Sequence, residues 1–411
     1  MGKTMVEKIL NHAADKRQCV AGDIVNARVS HLMTNDAVGE LTLRAFAQMQ
    51  VPLWDAARIS VVLDHYTPAT TENAARVHKL LREFARVHNV HLFDHIGVCH
   101  QVMLESFVRP GEVIIGTDSH TCTYGGIGAF ATGVGSTDGA AVMASGRIWL
   151  KIPETIRIEL NGTLPVHVHP KDLILKIIGD LGADGATYKA LEFTGKGAAS
   201  ISNAGRFTIC NMAVEAGAKT AIFEPDEITK RYLNPHNGCG TFFNSDPDAV
   251  YTKTITVEMD RLVPQVACPY STDQVVPVHK AQGIRIDQAF IGSCTNGRLE
   301  DLQAASRILY GKKVSPHVRL LVTPASNRIY EQAMAEGLLE IFLQAGAIIC
   351  NPGCSACFGG QGMLWENEVC IGTHNRNFKG RMGNQNAKVY LASPETVAKS
   401  AIAGCITDPK S

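Results

Sequence analysis

The chain has 411 residues, which at roughly 150 residues per domain predicts two or three domains. Its 39 Lys and Arg cancel 39 Asp and Glu, so no overall field draws it to nucleic acid or to an anionic membrane. The first seventeen residues carry Lys3, Glu7, Lys8 and Asp15 and no apolar run, so no secretory signal is read there and a cytoplasmic location is expected. The longest uncharged stretch, 119–137, is rich in Gly, Ser and Thr, and is expected as a packed loop rather than a membrane span.

Short β-branched runs alternate with amphipathic segments, the pattern of an α/β protein with mostly parallel strands. In chain order, a strand is predicted at 59–63, then a helix at 71–89 with Ala75, Leu80, Leu81, Phe84 and Val87 on one face. Strands at 113–115 and 155–160 precede helices at 170–181 and 207–216. A strand at 254–257 is followed by one at 289–291, a helix at 298–309, a strand at 319–322, a helix at 326–335, a strand at 347–349 and a helix at 394–403. Composition breaks near 151–153 and across 263–283 divide the chain into three α/β domains, 1–150, 151–283 and 284–411.

Polar clusters stand directly after four of these strands: Asp64-His65, Thr117-Asp118-Ser119-His120, Ser293-Cys294-Thr295-Asn296 and Pro352-Gly353-Cys354. Ligands of open α/β sheets bind beyond the carboxyl ends of the strands, so this placement is that of an active site. Twelve Cys in a chain of this size do not suggest a disulfide framework. Cys19, Cys210, Cys239, Cys268 and Cys405 stand apart and are expected to be small buried hydrophobes.

Cys294, Cys354 and Cys357 need another account. The two-residue spacing of Cys354 and Cys357 lets both thiolates reach one metal centre, whereas an isolated Cys-x-x-Cys would favour a redox dithiol or one end of a zinc site. Three thiolates leave a centre incompletely closed; Cys350 or Cys370 would close it as a fourth ligand, but both sit in strand-like context and are read as core.

Four ordered motifs, Gly116-Thr117-Asp118-Ser119-His120-Thr121, Gly292-Ser293-Cys294-Thr295-Asn296, Pro352-Gly353-Cys354-x-x-Cys357 and Asn375-Arg376-Asn377-Phe378-x-Gly380-Arg381, resemble the aconitase superfamily, and within it the large-subunit branch of 3-isopropylmalate dehydratase and homoaconitase. The resemblance runs over essentially the whole chain. It implies an aconitase-like fold of three α/β/α domains around a central iron–sulfur cluster, without the swivelling fourth domain. It further implies a hydro-lyase that dehydrates and rehydrates a hydroxy dicarboxylate, with 2-isopropylmalate to 3-isopropylmalate, in leucine biosynthesis, as the first expectation. Homocitrate, dimethylmalate, citramalate and maleate are the alternative substrates of related pairs.

By the same resemblance, Cys294, Cys354 and Cys357 hold one 4Fe-4S cluster whose fourth iron binds substrate. Asp64, His65, His100, Asp118, His120 and Glu215 handle the departing water, while Asn296, Asn375, Arg376 and Arg381 bind substrate, the arginines by gripping carboxylates. With 15 His in the chain any single one is most simply a surface or satisfied core residue, and His12, His31, His78, His88 and His167 are so read. Aconitases take the carbon-bound proton with a serine in a Gly-Ser-Ser-Arg loop, which this sequence does not contain. A small partner subunit supplying that serine and an arginine, in a heterodimer or a dimer of such pairs, is therefore expected. Ser355-Ala356 departs from the usual Gly-Pro between the cluster thiols, which puts the robustness of that turn in question. The rivals from other classes are an iron-responsive RNA-binding relative, disfavoured by the balanced charge, and a zinc-binding interaction protein.

Overall fold

The computed structural model describes residues 2–16, 18–233 and 240–411, so Cys239 lies outside the described residues. The chain forms two compact units, one of Met1–Asp94, Val102–Gly162 and Ala186–Glu258, the other of His95–Gln101, Thr163–Gly185 and Met259–Ser411.

The first unit contains a five-stranded parallel sheet in the order His91–Asp94, Ile59–Leu63, His31–Asn35, Val113–Gly116, Phe130–Gly133. Every residue of its three central strands is buried. Strands covered on both faces need apolar or satisfied residues throughout, which is why 59–63 is apolar but for Ser60, with no alternation of exposed and buried positions. The polar exceptions pair with each other: His31 Nε2 lies 2.8 Å from Ser60 Oγ, and burial drives the His31 imidazole down to about 3, so it is a neutral core residue. A second sheet in this unit, also parallel, runs Thr220–Phe223, Ala190–Thr194, Thr155–Asn161, Lys253–Glu258. An antiparallel ribbon of Ile24–Arg28 and Arg147–Lys151 completes it.

The second unit is built on seven strands in the order Val275–Pro277, Gln265–Ala267, Lys388–Leu391, Val369–Gly372, Gln288–Gly292, Arg319–Thr323, Ile348–Ile349. The strand Gln265–Ala267 is antiparallel to both neighbours and the remaining pairs are parallel. The helix Pro170–Leu181 belongs to this unit.

Helix ends follow local chemistry. Thr71 caps Glu72–His88 by accepting from Ala74 N, and Ser326 caps Asn327–Ala335 by accepting from Ile329 N. The helix expected at 207–216 begins earlier, as Asn203–Met212, because Ser202 caps it through Gly205 N, and 213–216 tightens into a 3₁₀ turn. The buried face of Glu72–His88 is Ala74, Val77, His78, Leu81 and Ala85; of the face expected, Leu81 is buried and Leu80 and Phe84 pack against the core, whereas Ala75 is exposed and Val87 is 62% exposed. Including His78 rotates the stripe, since its ring is satisfied by a buried carboxylate. The stretch 119–137 is packed but ordered: a 3₁₀ segment Ser119–Ile127, the strand Phe130–Gly133, and the start of the helix Ser136–Ser145. Of the solitary cysteines, Cys210 is buried, whereas Cys19, Cys268 and Cys405 are only half-buried, which corrects the expectation for those three.

The 3₁₀ segment lies directly against the second sheet of its unit. A Cβ at Gly125 would overlap the Ala221 carbonyl oxygen, so the close approach requires glycine. The buried Arg206 braces the neighbouring helix, donating to Asp226 Oδ1 at 2.9 Å and to the carbonyls of Ala198 and Ile201. Gly125→Ala is therefore expected to destabilise the protein by about 1–3 kcal/mol, the cost of overpacking a filled interior. A lowered thermal midpoint by calorimetry checks this; an unchanged midpoint contradicts so close an approach.

Candidate functional site

In the first unit, three adjacent strands end at one level. Register pairs Asn35 with Val62 and Met33 with Gly116, so Asp36, Asp64-His65 and Thr117-Asp118 leave the sheet side by side. Asp36 is the hub. It is 2% exposed, its carboxylate accepts from the backbone N–H of Asp64, His65 and Tyr66 at 2.9 to 3.2 Å, and His78 Nε2 lies 2.9 Å from Oδ2. Burial alone would raise its pKa, but the His78 bond, the His65 charge and the backbone donors overcome that and take it down to about 2.

Held by this hub, His65 places Nδ1 2.7 Å from Asp64 Oδ1, with Nε2 3.8 Å from Asp118 Oδ2. Burial opposes a charged ring, yet Asp64, Asp118 and Asp36 outweigh it and raise the His65 pKa to about 10. Asp118 caps the 3₁₀ segment by accepting from His120 N at 2.9 Å and takes a bond from Asn35 Nδ2 at 3.2 Å. His120 Nε2 lies 2.8 Å from Glu215 Oε1, a residue brought in by the turn that closes Asn203–Met212. Asp64, His65, Asp118, His120 and Glu215 thus form one connected set. Asp36 and His78 support it and were not singled out from the sequence; Asp36 follows a strand end just as Asp64 does, but the strand His31–Asn35 was not predicted.

In the second unit the same geometry assembles sulfur. The strands Gln288–Gly292 and Val369–Gly372 are parallel neighbours, and Thr373 Oγ1 donates to Gly292 O at 3.1 Å while accepting from Gly292 N at 2.9 Å. The segments leaving these two strand ends are therefore adjacent. Gly292, at φ 151°, turns the chain where a Cβ would meet Thr323 O at 2.5 Å, and Ser293 takes a left-handed φ of 74° before Cys294. Asn375 reaches two thiols: its Nδ2 lies 3.5 Å from Cys294 Sγ, and its Oδ1 lies 3.8 Å from Cys357 Sγ. Arg381 is folded onto the same loop, donating through Nη2 to Cys357 Sγ at 2.8 Å and through Nε to Cys357 O at 3.0 Å.

Cys294, Cys354 and Cys357 are all buried and none is in a disulfide. The Cys294 turn is gripped from behind by Arg298, 4% exposed, which donates to Cys294 O at 2.8 Å, Thr295 O at 2.9 Å and Gln101 Oε1 at 3.0 Å. Asn296 Nδ2 donates to Asp301 Oδ1 at 2.8 Å, so its contact is to a buried carboxyl whose pKa burial raises. His100 is buried in the first turn of the helix Cys99–Ser106; the segment before it is tied to this unit by Val98 N donating to Ala325 O at 2.8 Å. Arg376 is half-buried next to Asn375.

The donor sets differ in what they could hold. Cys370 is fully buried and burial pushes its thiol up to about 12, while burial also raises Cys350, so both favour the neutral, core form. Of Cys294, Cys354 and Cys357, the first is met by the Asn375 N–H and the last by the Arg381 N–H, which suits them to carry negative charge and to bind a soft metal centre. The ligand atoms of Asp36, Asp64 and His65 also lie within 4.8 Å of one another. That set already holds one cation, His65, against its own carboxylates, which suits it to passing protons rather than to binding a metal cation.

A family model described as aconitase family (aconitate hydratase) matches residues 7–283 and 279–404. The chain is 50% identical over 416 residues to the 3-isopropylmalate dehydratase large subunit 1 of Methanopyrus kandleri, an alignment covering 100% of this chain and 99% of that protein. It is 49% identical to the probable methanogen homoaconitase large subunit of Methanothermobacter thermautotrophicus, over 99% of this chain and 97% of the relative. Among solved structures, the crystal structure of Thermococcus kodakaraensis aconitase X (holo-form) is similar with a TM-score of 0.58 at 14% identity, covering 96% and 94% of the two chains, a likeness of fold alone.

The electrostatics of His65 generate a pH expectation. Its folded-state pKa, near 10, lies above the ordinary 6.5, so the stabilisation from its carboxylate partners is complete below about 6.5 and lost as pH rises through about 10. Asp64→Asn removes the nearest carboxylate and is expected to lower the imidazole pKa by more than about one unit. Imidazole NMR titration measures this; a wild-type ring that deprotonates near 6.5 contradicts the arrangement.

Proposed function

This chain belongs to the aconitase family, and from that premise we propose that it is the cluster-bearing large subunit of a hydro-lyase that interconverts 2-isopropylmalate and 3-isopropylmalate by removing and re-adding water, in leucine biosynthesis. The observation that carries the reading is the Asn375 side chain spanning the sulfurs of Cys294 and Cys357, with Arg381 on the second of them. Three buried reduced thiols, two of them with N–H donors, fit an iron–sulfur cofactor, and in this reading Cys294, Cys354 and Cys357 hold a 4Fe-4S cluster. When bound, such a cluster supplies a Lewis-acid iron at its fourth corner for the substrate hydroxyl and neighbouring carboxylate.

The chain's own residues do the rest. His65, kept cationic by Asp64 and Asp118, is the proton donor for the departing hydroxyl, and Asp64 fixes which ring nitrogen faces outward by engaging Nδ1. His120, oriented by Glu215, holds the leaving water, with Asp118 fixing the backbone of that turn, and His100 contributes a further hydrogen bond to it. Arg376 takes a substrate carboxylate in the bidentate manner of guanidinium groups. Arg381 takes another while also shaping the Cys357 loop, and Asn296 and Asn375 hydrogen-bond nearby. The serine that removes the carbon-bound proton, and a further arginine, come from a small subunit. A three-domain division at 1–150, 151–283 and 284–411 is our reading of the sequence; the helix Pro170–Leu181 and the strands Gln265–Ala267 and Val275–Pro277, within 151–283 by that division, belong to the second compact unit.

Similarity to a homoaconitase large subunit at 49%, against 50% for the dehydratase, makes homocitrate-type substrates the second reading. The deciding experiment is anaerobic reconstitution with the small subunit and a panel of isopropylmalate, homocitrate, citramalate, dimethylmalate and maleate, followed by absorbance of the unsaturated acid. Turnover of isopropylmalate is expected. If it is inert and homocitrate reacts, the leucine assignment fails and the hydro-lyase class stands. The chain alone is expected to carry iron and sulfide but to show no turnover until the small subunit is added. Cys357→Ser should lose the brown colour, the iron and the activity together; retention of all three would mean that other ligands hold the cofactor.

A further inference from the structure

Lys171 is wholly buried, and it sits in the first turn of the helix Pro170–Leu181. Both facts oppose a positive charge: the interior withholds water from it, and the amino end of a helix already carries the positive pole of the backbone dipole. Its ammonium donates to Thr373 O at 2.7 Å and His374 O at 2.6 Å, the two residues that lead from the strand Val369–Gly372 into Asn375. Asn375 in turn meets the sulfurs of Cys294 and Cys357. Burial pushes the amine down to about 7, against the upward pull of Asp301, Cys294, Cys357 and Asp172. The adjacent His374 shares none of this work, because burial, with the charges of Arg381 and Lys171, keeps its ring uncharged.

The segment that delivers Lys171 is itself pinned. Asp172 accepts from His169 N and from Gln265 N, each at 2.8 Å, and His167 Nδ1 lies 2.7 Å from Glu395 Oε2. Lys171 is nonetheless fastened to the two carbonyls that lead into Asn375, and so to the amide on the Cys294 and Cys357 sulfurs. Interaction between charges is mutual, so the pull of those sulfurs on the Lys171 proton is also a pull of Lys171 toward their ionised form.

We propose that Lys171 is the counter-charge and positioning residue of the thiol centre: it fixes the Thr373–His374 backbone leading to Asn375, whose side-chain amide meets two of the sulfurs, and it offsets the negative charge that three thiolates and their cofactor bring into a buried site. The inference rests on the proposal that these thiols hold a cluster. Its consequence is electronic as well as structural. A buried positive charge favours the more negative, reduced state of the cluster, and it lessens the repulsion felt by a dicarboxylate substrate.

The test uses the full chain, reconstituted anaerobically, with Lys171→Gln and Lys171→Met. The glutamine keeps an N–H donor for the two carbonyls without the charge; the methionine keeps neither. Iron and sulfide are counted, and the cluster is titrated with dithionite under electron paramagnetic resonance. Both variants are expected to bind iron and sulfide while reduction becomes at least tenfold less favourable, a midpoint lower by about 59 mV for one electron. Should Lys171→Met not fold, Lys171→Gln carries the comparison. An unchanged midpoint with full iron content in the variants overturns the counter-charge and leaves the cluster reading standing. Absence of iron and sulfide from the wild-type chain overturns both.

Discussion

Parallel strands in register deliver chemically different residues to one level, and both the proton-handling set and the thiol centre depend on that constraint. In the first unit the pairing of Asn35 with Val62 and of Met33 with Gly116 brings three loops out together, and carboxylates and imidazoles meet across them. In the second unit the pairing of Phe290 with Gly372 puts the Cys294 turn beside the segment leading to Asn375. A slip of one residue would turn the side chains of a strand to the opposite face and displace the loop at its end. The apolar cores of these sheets are therefore part of the site's geometry.

A second constraint is that ionic groups taken out of water must be paired. Asp36 has three backbone donors and His78; Arg298 has two carbonyls and Gln101; Lys171 has two carbonyls. None of these bonds is worth much net, because water would supply equivalents in the unfolded chain. Each is costly to break, because the partner is then stranded in the interior. Such groups fix geometry more than they add stability. Asp36 fixes the backbone of Asp64 to Tyr66, Arg298 fixes that of Cys294 and Thr295, and Lys171 fixes that of Thr373 and His374. Chemistry-bearing side chains hang from backbone held in this way.

The class of fold was legible along the chain, because covered parallel strands must be apolar on both faces and capped helices announce themselves: Thr71, Ser326 and Pro394 each stand at the start of a helix found there. The sequence also put Asp64-His65, Asp118-His120 and Cys294 after strand ends, since motif order and strand order are local properties. It missed His31–Asn35, and with it Asp36, because that strand contains His, Thr and Asn whose burial is tolerable only through partners on other segments. The expected face of Glu72–His88 held for Leu80, Leu81 and Phe84 but left out His78 for the same reason: its ring counts as apolar only once Asp36 receives it. That Asn375 spans two thiols, that Arg381 lies on Cys357, and that Lys171 stands behind them were decided by tertiary structure alone. Periodicity reports how a residue faces its own element. Which buried charge meets which partner depends on sheet register and on contacts between residues as distant in sequence as Lys171 and His374, 203 positions apart, and no local pattern encodes it.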